Sequence, residues 1–202
     1  MPTNVKIGPR LVDFPFHFCL DVPMSKKKAV IFDRDGTLIV DKIYLNDPDL
    51  VQYPEGVFEA LQLLRDHGYV FAVATNQSGI PRGIVEPKNL FETHRRIRAE
   101  FARYGVDFLD FYYAPYMTDS NHWMRKPNPG MLEVAAKNHS LDLSKSWMVG
   151  DKMSDVEAGH RAGCKSVFLT TTDNPSHQEG WRDPDVIANT LLEAAQRILS
   201  QT

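Results

Sequence analysis

Four short polar runs in this sequence hold residue types that can do chemistry, and three of them directly follow an apolar stretch. Asp33-Arg34-Asp35-Gly36-Thr37 follows Ala29–Phe32, and Thr75-Asn76-Gln77-Ser78-Gly79 follows a second apolar run. Arg125-Lys126-Pro127 precedes a helical stretch, and Gly150-Asp151-Lys152, with Asp155 nearby, closes a further run. Taken singly, each run has an ordinary reading. An Asp pair at a strand end serves as a turn or cap, Asp151 before a helix serves as an N-cap, and a lone Lys126 is surface charge. Together they read differently, because ligands of an open parallel sheet bind beyond the carboxyl ends of its strands. Asp33, Asp35 and Asp151 would then meet on one sheet edge, where their mutual repulsion calls for a cation. Mg²⁺ suits such a place, being a hard ion that takes oxygen ligands from one or two carboxylates and a substrate phosphate. The chemistry that needs a nucleophile, charge neutralisation and a proton donor in one place is phosphoryl transfer.

These residues need elements to position them, and from Lys28 onward short apolar runs alternate with longer amphipathic stretches, the pattern of a parallel sheet with helices on both faces. Strands are predicted at Ala29–Phe32, Tyr69–Ala74, Leu109–Ala114, Ser146–Gly150 and Ser166–Thr171. Of these, Tyr69–Ala74 is too short for a buried helix and too continuous for a half-exposed strand, and reads as a buried parallel strand. Helices are predicted at Gly56–His67, stopped by Gly68; at Pro87–Tyr104, stopped by Gly105; at Pro129–His139; and at Ser154–Ala162. A closing helix is predicted over Asp185–Leu199, capped by Asp183 with Pro184 in its first turn. The fold class expected is α/β, a doubly wound and mostly parallel sheet. Residues 1–25, outside the alternation and rich in Pro and aromatics, read as an N-terminal arm ahead of a single domain over 26–202. The loop from Pro115 to Pro129 is longer than most strand-to-helix connections, a length associated with binding.

Composition narrows the class further. With 43% hydrophobic and 24% charged residues among 202, the chain matches a globular domain, which excludes collagen-like, coiled-coil and disordered classes. Basic and acidic residues number 23 and 26, without a long run of one sign, so there is no footprint for duplex nucleic acid. Cys19 and Cys164 match no metal or redox spacing. Asp13, Pro15, His17 and Asp21 interrupt the N-terminal apolar residues, so no signal-peptide core is read there, and no stretch is long enough to cross a bilayer. A cytoplasmic protein with reduced thiols is expected.

In order and wording, Asp33-x-Asp35-Gly36-Thr37, then Thr75, then Lys126, then Gly150-Asp151 with Asp155 resemble the haloacid dehalogenase (HAD) superfamily of phosphatases, over Ala29 to about Thr171. More narrowly, Thr75 to Ile80, Arg82-Gly83, Arg125-Lys126-Pro127 and Gly150-Asp151-Lys152 resemble the branch that holds D-glycero-D-manno-heptose 1,7-bisphosphate phosphatases and histidinol-phosphatases. The phrase through Arg82-Gly83 sides with the heptose members, which implies removal of the 7-phosphate. By this resemblance Asp33 is the nucleophile that forms an aspartyl-phosphate, and Asp35 is the general acid that later activates water. Thr75 and Lys126 hold phosphoryl oxygens. Mg²⁺ is held by the Asp33 and Asp151 carboxylates and the Asp35 backbone carbonyl. Asp41, Tyr44, Asn76, Gln77, Ser78, Arg82, Arg125 and Lys152 contact the substrate, a small phosphate ester.

One position departs from that branch, whose members often hold a structural zinc through Cys-x-His and Cys-x-Cys ahead of the Arg-Lys-Pro phrase. Here those positions read Ala114-Pro115-Tyr116 and His122-Trp123-Met124, leaving His122 as the sole ligand type, so zinc is not expected. The segments after Asp35 and between Thr75 and Lys126 are too short for a large cap domain, and loops are expected to close the pocket. The alternatives are histidinol phosphate or another sugar phosphate as substrate, a phosphatase of 3′-phosphorylated nucleic-acid ends, and a non-catalytic binding protein on the same fold. A nucleic-acid channel would bring basic stripes and stacking aromatics. A binding protein would have lost Asp33 or Asp35, and both are present.

Overall fold

Ala29-Val30-Ile31-Phe32 becomes the central strand, β1 (Ala29–Phe32), because its residues can be buried on both faces at once. Val30 and Phe32 point into one core, and Ala29 and Ile31 into the other. In this computed structural model, which describes residues 26–170 and 179–201, β1 is flanked in parallel by β2 (Val70–Asn76) and β4 (Trp147–Gly150). β3 (Phe108–Ala114), β5 (Lys165–Leu169) and β6 (Val186–Ala188) complete a six-stranded, all-parallel sheet in the order β3-β2-β1-β4-β5-β6.

The helices cover both faces, as the alternation predicts. Leu61 and Leu64 of α1 (Val57–Asp66), Ile97 and Phe101 of α2 (Pro87–Ala102) and Ile198 of α5 (Leu191–Ser200) pack in the core that holds Val30 and Phe32. Met131 and Leu132 of α3 (Gly130–His139) and Ala158 of α4 (Met153–Ala162) pack in the opposite core. Each fully buried Leu, Ile, Phe or Met contributes about 1.5–3 kcal/mol relative to exposure, so both faces are strongly held. Elements predicted up to Lys165 agree with the structure to within two residues at each end.

The C-terminal prediction needs correction. Residues from Asp185 do not open a helix: Val186-Ile187-Ala188 forms β6, alternating buried, exposed and buried, and α5 starts at Leu191. The cap is Thr190, whose hydroxyl accepts the Glu193 N–H at 3.1 Å, and not Asp183. Asp185 carries out another task, its carboxylate accepting from Ser166 N at 2.8 Å and meeting His160 Nε2 at 2.9 Å, which ties the entry of β6 to β5. Thr171 and the proposed arm over 1–25, with Cys19, lie outside the described residues.

The connections bear on the pocket. Between Asp35 and α1 there is a single short 3₁₀ turn, Pro48–Leu50. Between Thr75 and Lys126, α2 and β3 belong to the sheet layers themselves. Among the described residues, no helix is long and apolar enough to cross a membrane. After β1 the chain moves outward through β2 to β3, then returns to the other side of β1 as β4. The strand order therefore reverses between β1 and β4, and the crevice at their carboxyl ends is where such folds bind ligands.

Candidate active site

Asp33 and Asp151 are the first residues beyond β1 and β4, so the reversal of strand order places them side by side. Asp33 N–H continues the ladder by donating to Val149 O at 2.8 Å. The chain then curls tightly, with the amides of Leu38 and Ile39 both returning to Arg34 O at 3.0 Å. Gly36 makes this turn possible: its φ is +78°, and a Cβ there would lie 2.3 Å from Asp151 Oδ2. Gly150 has a similar reason for lacking a side chain, since a Cβ would meet Asp155 Oδ2 at 2.2 Å.

Asp33, Asp151 and Asp155 each present a carboxylate oxygen, all within 4.8 Å of one another. The third member is Asp155, one turn into α4, where Oδ2 accepts Lys152 N–H at 3.0 Å and closes the helix start. Asp155 lies outside the metal set expected from the sequence, and its spacing four residues beyond Asp151 is the one signal there for its place in it. Lys126 reaches the cluster from the other side. Its Nζ lies 2.9 Å from Asp33 Oδ1 and 2.6 Å from Asp155 Oδ1, and donates to Ala74 O at 2.6 Å. Burial alone would favour a neutral amine, but the Asp155 and Asp33 charges outweigh it and raise the Lys126 pKa.

The charges do not balance. Burial, then the neighbouring Asp155 and Asp33, push the Asp151 carboxyl up to about 7, against the opposing pull of Lys152. Its Oδ1 is buried with no hydrogen-bond partner. An orphaned buried oxygen beside two further carboxylates fits a hard divalent cation of the Mg²⁺ type. Asp33, Asp151 and Asp155 are the side chains that could hold it. The Asp35 carboxylate is not in this cluster; it is turned toward Arg34 and receives Nη2 at 2.8 and 2.9 Å. Its expected share in a metal shell was the backbone carbonyl alone.

The remaining expected residues divide between one cleft and its supports. A cleft of about 530 Å³ is lined by Asp35, Asp41, Tyr44, Asn76, Gln77, Ser78, Arg125, Lys126 and Lys152, together with Arg34 and Trp181, to which the sequence reading gave no role. Thr75 is buried, and its Oγ1 accepts from Gln77 Nε2 at 2.9 Å. Asn76 is a brace: its Nδ2 donates to Lys126 O at 3.0 Å and its Oδ1 accepts from Lys126 N at 3.1 Å, fixing the Lys126 backbone. Arg125 donates to Tyr116 O at 3.0 Å, and its pKa is lowered by burial and then by the charge of Arg82. Arg82 itself is exposed and lies outside the cleft lining. Lys152 Nζ and Asp41 Oδ2 stand 3.7 Å apart across the mouth. In the loop where the related branch often holds zinc, the His122 ring stacks on Tyr116 with centroids 3.5 Å apart, and Nδ1 accepts Met124 N–H at 3.1 Å.

A parallel α/β sheet with acidic groups and a buried lysine at its switch point defines a phosphoryl-transfer hydrolase class, and comparison with known proteins places the chain in it. A HAD-hydrolase-like family profile matches residues 123–194. The D-glycero-beta-D-manno-heptose-1,7-bisphosphate 7-phosphatase of Pasteurella multocida is 35% identical over 178 residues, covering 85% of this chain and 97% of the relative. The corresponding alpha enzyme of Photorhabdus laumondii is 33% identical over 181 residues, covering 86% and 98%. The crystal structure of D,D-heptose 1,7-bisphosphate phosphatase from B. bronchiseptica, complexed with magnesium and phosphate, superimposes with a TM-score of 0.78 at 28% identity, covering 87% of this chain and 99% of that one. The chain belongs to the HAD-like hydrolases, in the family of these heptose bisphosphate phosphatases, and is a phosphoric monoester hydrolase.

Proposed function

We propose that the protein removes the 7-phosphate of D-glycero-D-manno-heptose 1,7-bisphosphate through an aspartyl-phosphate on Asp33. The observation that carries this reading is a cleft lined by the buried Lys126, whose Nζ lies 2.9 Å from Asp33, and by a further cationic group, Arg125. A bisphosphate needs both ends: one phosphoryl group to react and another to be held. The cleft volume lies in the ordinary range for small-molecule sites, about 300–1,000 Å³.

The chemistry divides among residues of this chain. Asp33 Oδ1 is engaged by Arg34 N–H at 2.8 Å and by Lys126, which leaves Oδ2 to attack phosphorus. As the Asp33–phosphorus bond forms, the bond to the sugar oxygen breaks, and Asp35 gives that oxygen its proton. Lys126 and Thr75 offer positive charge and a hydroxyl to the phosphoryl oxygens. In the second half Asp35 takes a proton from water, the water oxygen bonds to phosphorus, and the bond to Asp33 breaks, releasing inorganic phosphate. Mg²⁺ held by Asp33, Asp151 and Asp155, with the Asp35 carbonyl, would supply charge neutralisation at the transferring group. Asp41, Tyr44, Ser78, Arg125 and Lys152 are proposed to meet the rest of the substrate.

Relatives bearing both alpha and beta names resemble the chain to a similar degree, so both anomers belong in the test. Purified protein is compared on the two heptose 1,7-bisphosphates, histidinol phosphate and a hexose bisphosphate by kcat/KM, with ³¹P NMR locating the phosphate that remains. A heptose bisphosphate should lead by at least about tenfold, the effect of a contact of about 1.4 kcal/mol, and the product should keep its phosphate at C1. A flat profile, or a leading rate for histidinol phosphate, would contradict the assignment.

A further inference from the structure

Arg34 is the largest fully buried side chain described in the fold, at 1% exposure, and neither its place in the motif nor the chemistry above gives its charge a task. Burying a guanidinium is costly unless its donors are matched. Its matches converge on one residue. Nη2 donates to both Asp35 oxygens at 2.9 and 2.8 Å, and Nε lies 3.2 Å from each. Asp35 Oδ2 also receives Gln77 Nε2 at 3.0 Å. Both carboxylate oxygens are therefore fixed by groups that do not themselves react.

Arg34 is fixed in turn from behind. Its Nη1 lies 3.2 Å from His94 Nε2, and a guanidinium can only donate, so His94 must be the neutral imidazole with its proton on Nδ1. His94 belongs to α2, is 7% exposed, and stacks on Phe111 of β3 with centroids 4.9 Å apart at 29°. Burial, reinforced by the Arg34 and Arg98 charges, pushes its pKa down to about 3, in keeping with the neutral acceptor the geometry demands. A line of contacts thus runs from the β3 aromatic through His94 and Arg34 to Asp35. A guanidinium engaged only for stability could be satisfied by backbone carbonyls anywhere in the core. This one is aimed at the carboxyl group assigned to proton transfer.

We infer that Arg34, backed by His94, is a positioning residue that fixes where the Asp35 carboxyl group stands, so that proton transfer to the oxygen leaving phosphorus depends on this hold. This rests on the assignment of Asp35 as general acid, and the experiment separates failure of one from failure of the other. An alkyl alcohol is a poor leaving group that needs its proton delivered, whereas 4-nitrophenolate leaves unaided, so misaimed acid catalysis harms one ester and spares the other. A merely structural defect would harm both.

The test measures single-turnover release of the leaving group, with enzyme in excess, from heptose 1,7-bisphosphate and from 4-nitrophenyl phosphate. The proteins are wild type, Asp35→Asn, Arg34→Lys, His94→Leu and His94→Gln, each with its urea midpoint recorded. Asp35→Asn should slow the sugar ester by about 100-fold or more, the low end of general acid–base effects, and 4-nitrophenyl phosphate far less. Arg34→Lys and His94→Leu should show the same selectivity with KM little changed. His94→Gln, which restores an acceptor for Arg34 Nη1, should recover most of the sugar-ester rate. If Arg34→Lys fails to fold, the two His94 variants decide the matter. Equal losses on both esters in His94→Leu, or an unchanged sugar-ester rate, would overturn the inference while a selective Asp35→Asn leaves the general acid standing. Equal losses in Asp35→Asn would overturn both.

Discussion

The floor and the rim of the cleft are built to different tolerances. Asp33, Lys126 and Asp155 are all at most 5% exposed, and each is set one residue past a strand, ahead of a helix or in its first turn. None can turn away without disturbing the sheet or leaving a buried charge unpaired. The rim is made of loops. Ile43 and Tyr44 are 80% and 40% exposed and have φ values of +48° and +64°, while Arg125 and Lys152 reach the cleft from connecting segments. On the proposed mechanism the catalytic groups are thus fixed by the architecture, whereas the groups proposed to select the substrate can change without touching the core.

Substitutions at the two levels should separate cleanly, and the largest effect belongs to the floor. Asp33→Asn should lower kcat by at least about 10⁴-fold, the scale of losing a covalent nucleophile, with little change in the thermal midpoint because side-chain volume is kept. Steady-state rates with a calorimetric scan check both halves. Lys126→Met leaves Asp33 and Asp155 buried without their counter-charge and should destabilise the fold by about 3 kcal/mol. A urea midpoint equal to wild type would show that the floor is less constrained than its burial suggests.

His94, just behind the floor, predicts a pH dependence. Its pKa is depressed to about 3 in the folded protein, so between there and the ordinary unfolded value near 6.5 the unfolded chain binds the extra proton. Its contribution to stability is complete above that unfolded value and declines as pH falls, by up to about 1.4 kcal/mol per unit. Urea midpoints at pH 7 and pH 5 should differ more for wild type than for His94→Gln, and equal differences would refute the buried neutral imidazole. The smallest effect belongs to the rim: Arg125→Ala should raise KM for a sugar bisphosphate about tenfold, worth about 1.4 kcal/mol, leaving kcat and the KM for 4-nitrophenyl phosphate nearly unchanged. A collapse of kcat would erase the distinction between floor and rim.

The same division governs what could be read from sequence. The sheet was legible because β1, β2 and β4 are short, largely apolar runs alternating with amphipathic stretches, and Asp33 and Asp151 because each stands directly after such a run, whereas Lys126 lies in the loop ahead of α3 and was legible from the Arg125-Lys126-Pro127 phrase alone. The short β6 escaped because Val186-Ile187-Ala188 abuts the amphipathic Leu191–Ser200, and period two and period 3.6 cannot be told apart over three residues. Arg34 was visible only as a charge between two aspartates, and His94 only as one residue of an amphipathic helix. Their meeting depends on α2 packing over the turn after β1, a contact across 60 positions that no local spacing encodes. Asn76 likewise reads as a ligand in the motif and acts as a brace, because only the folded chain brings the Lys126 backbone within its reach.

The central claim is that Asp33 captures phosphorus at the crevice between β1 and β4. Quenching the protein in acid during turnover of a heptose 1,7-bisphosphate, reducing any acyl phosphate with borohydride and sequencing the peptides by mass spectrometry tests it directly. The expected product is the reduced alcohol at position 33, absent from an unturned control. Modification at another residue, or an unmodified Asp33 beside a measured burst of released sugar, would contradict it.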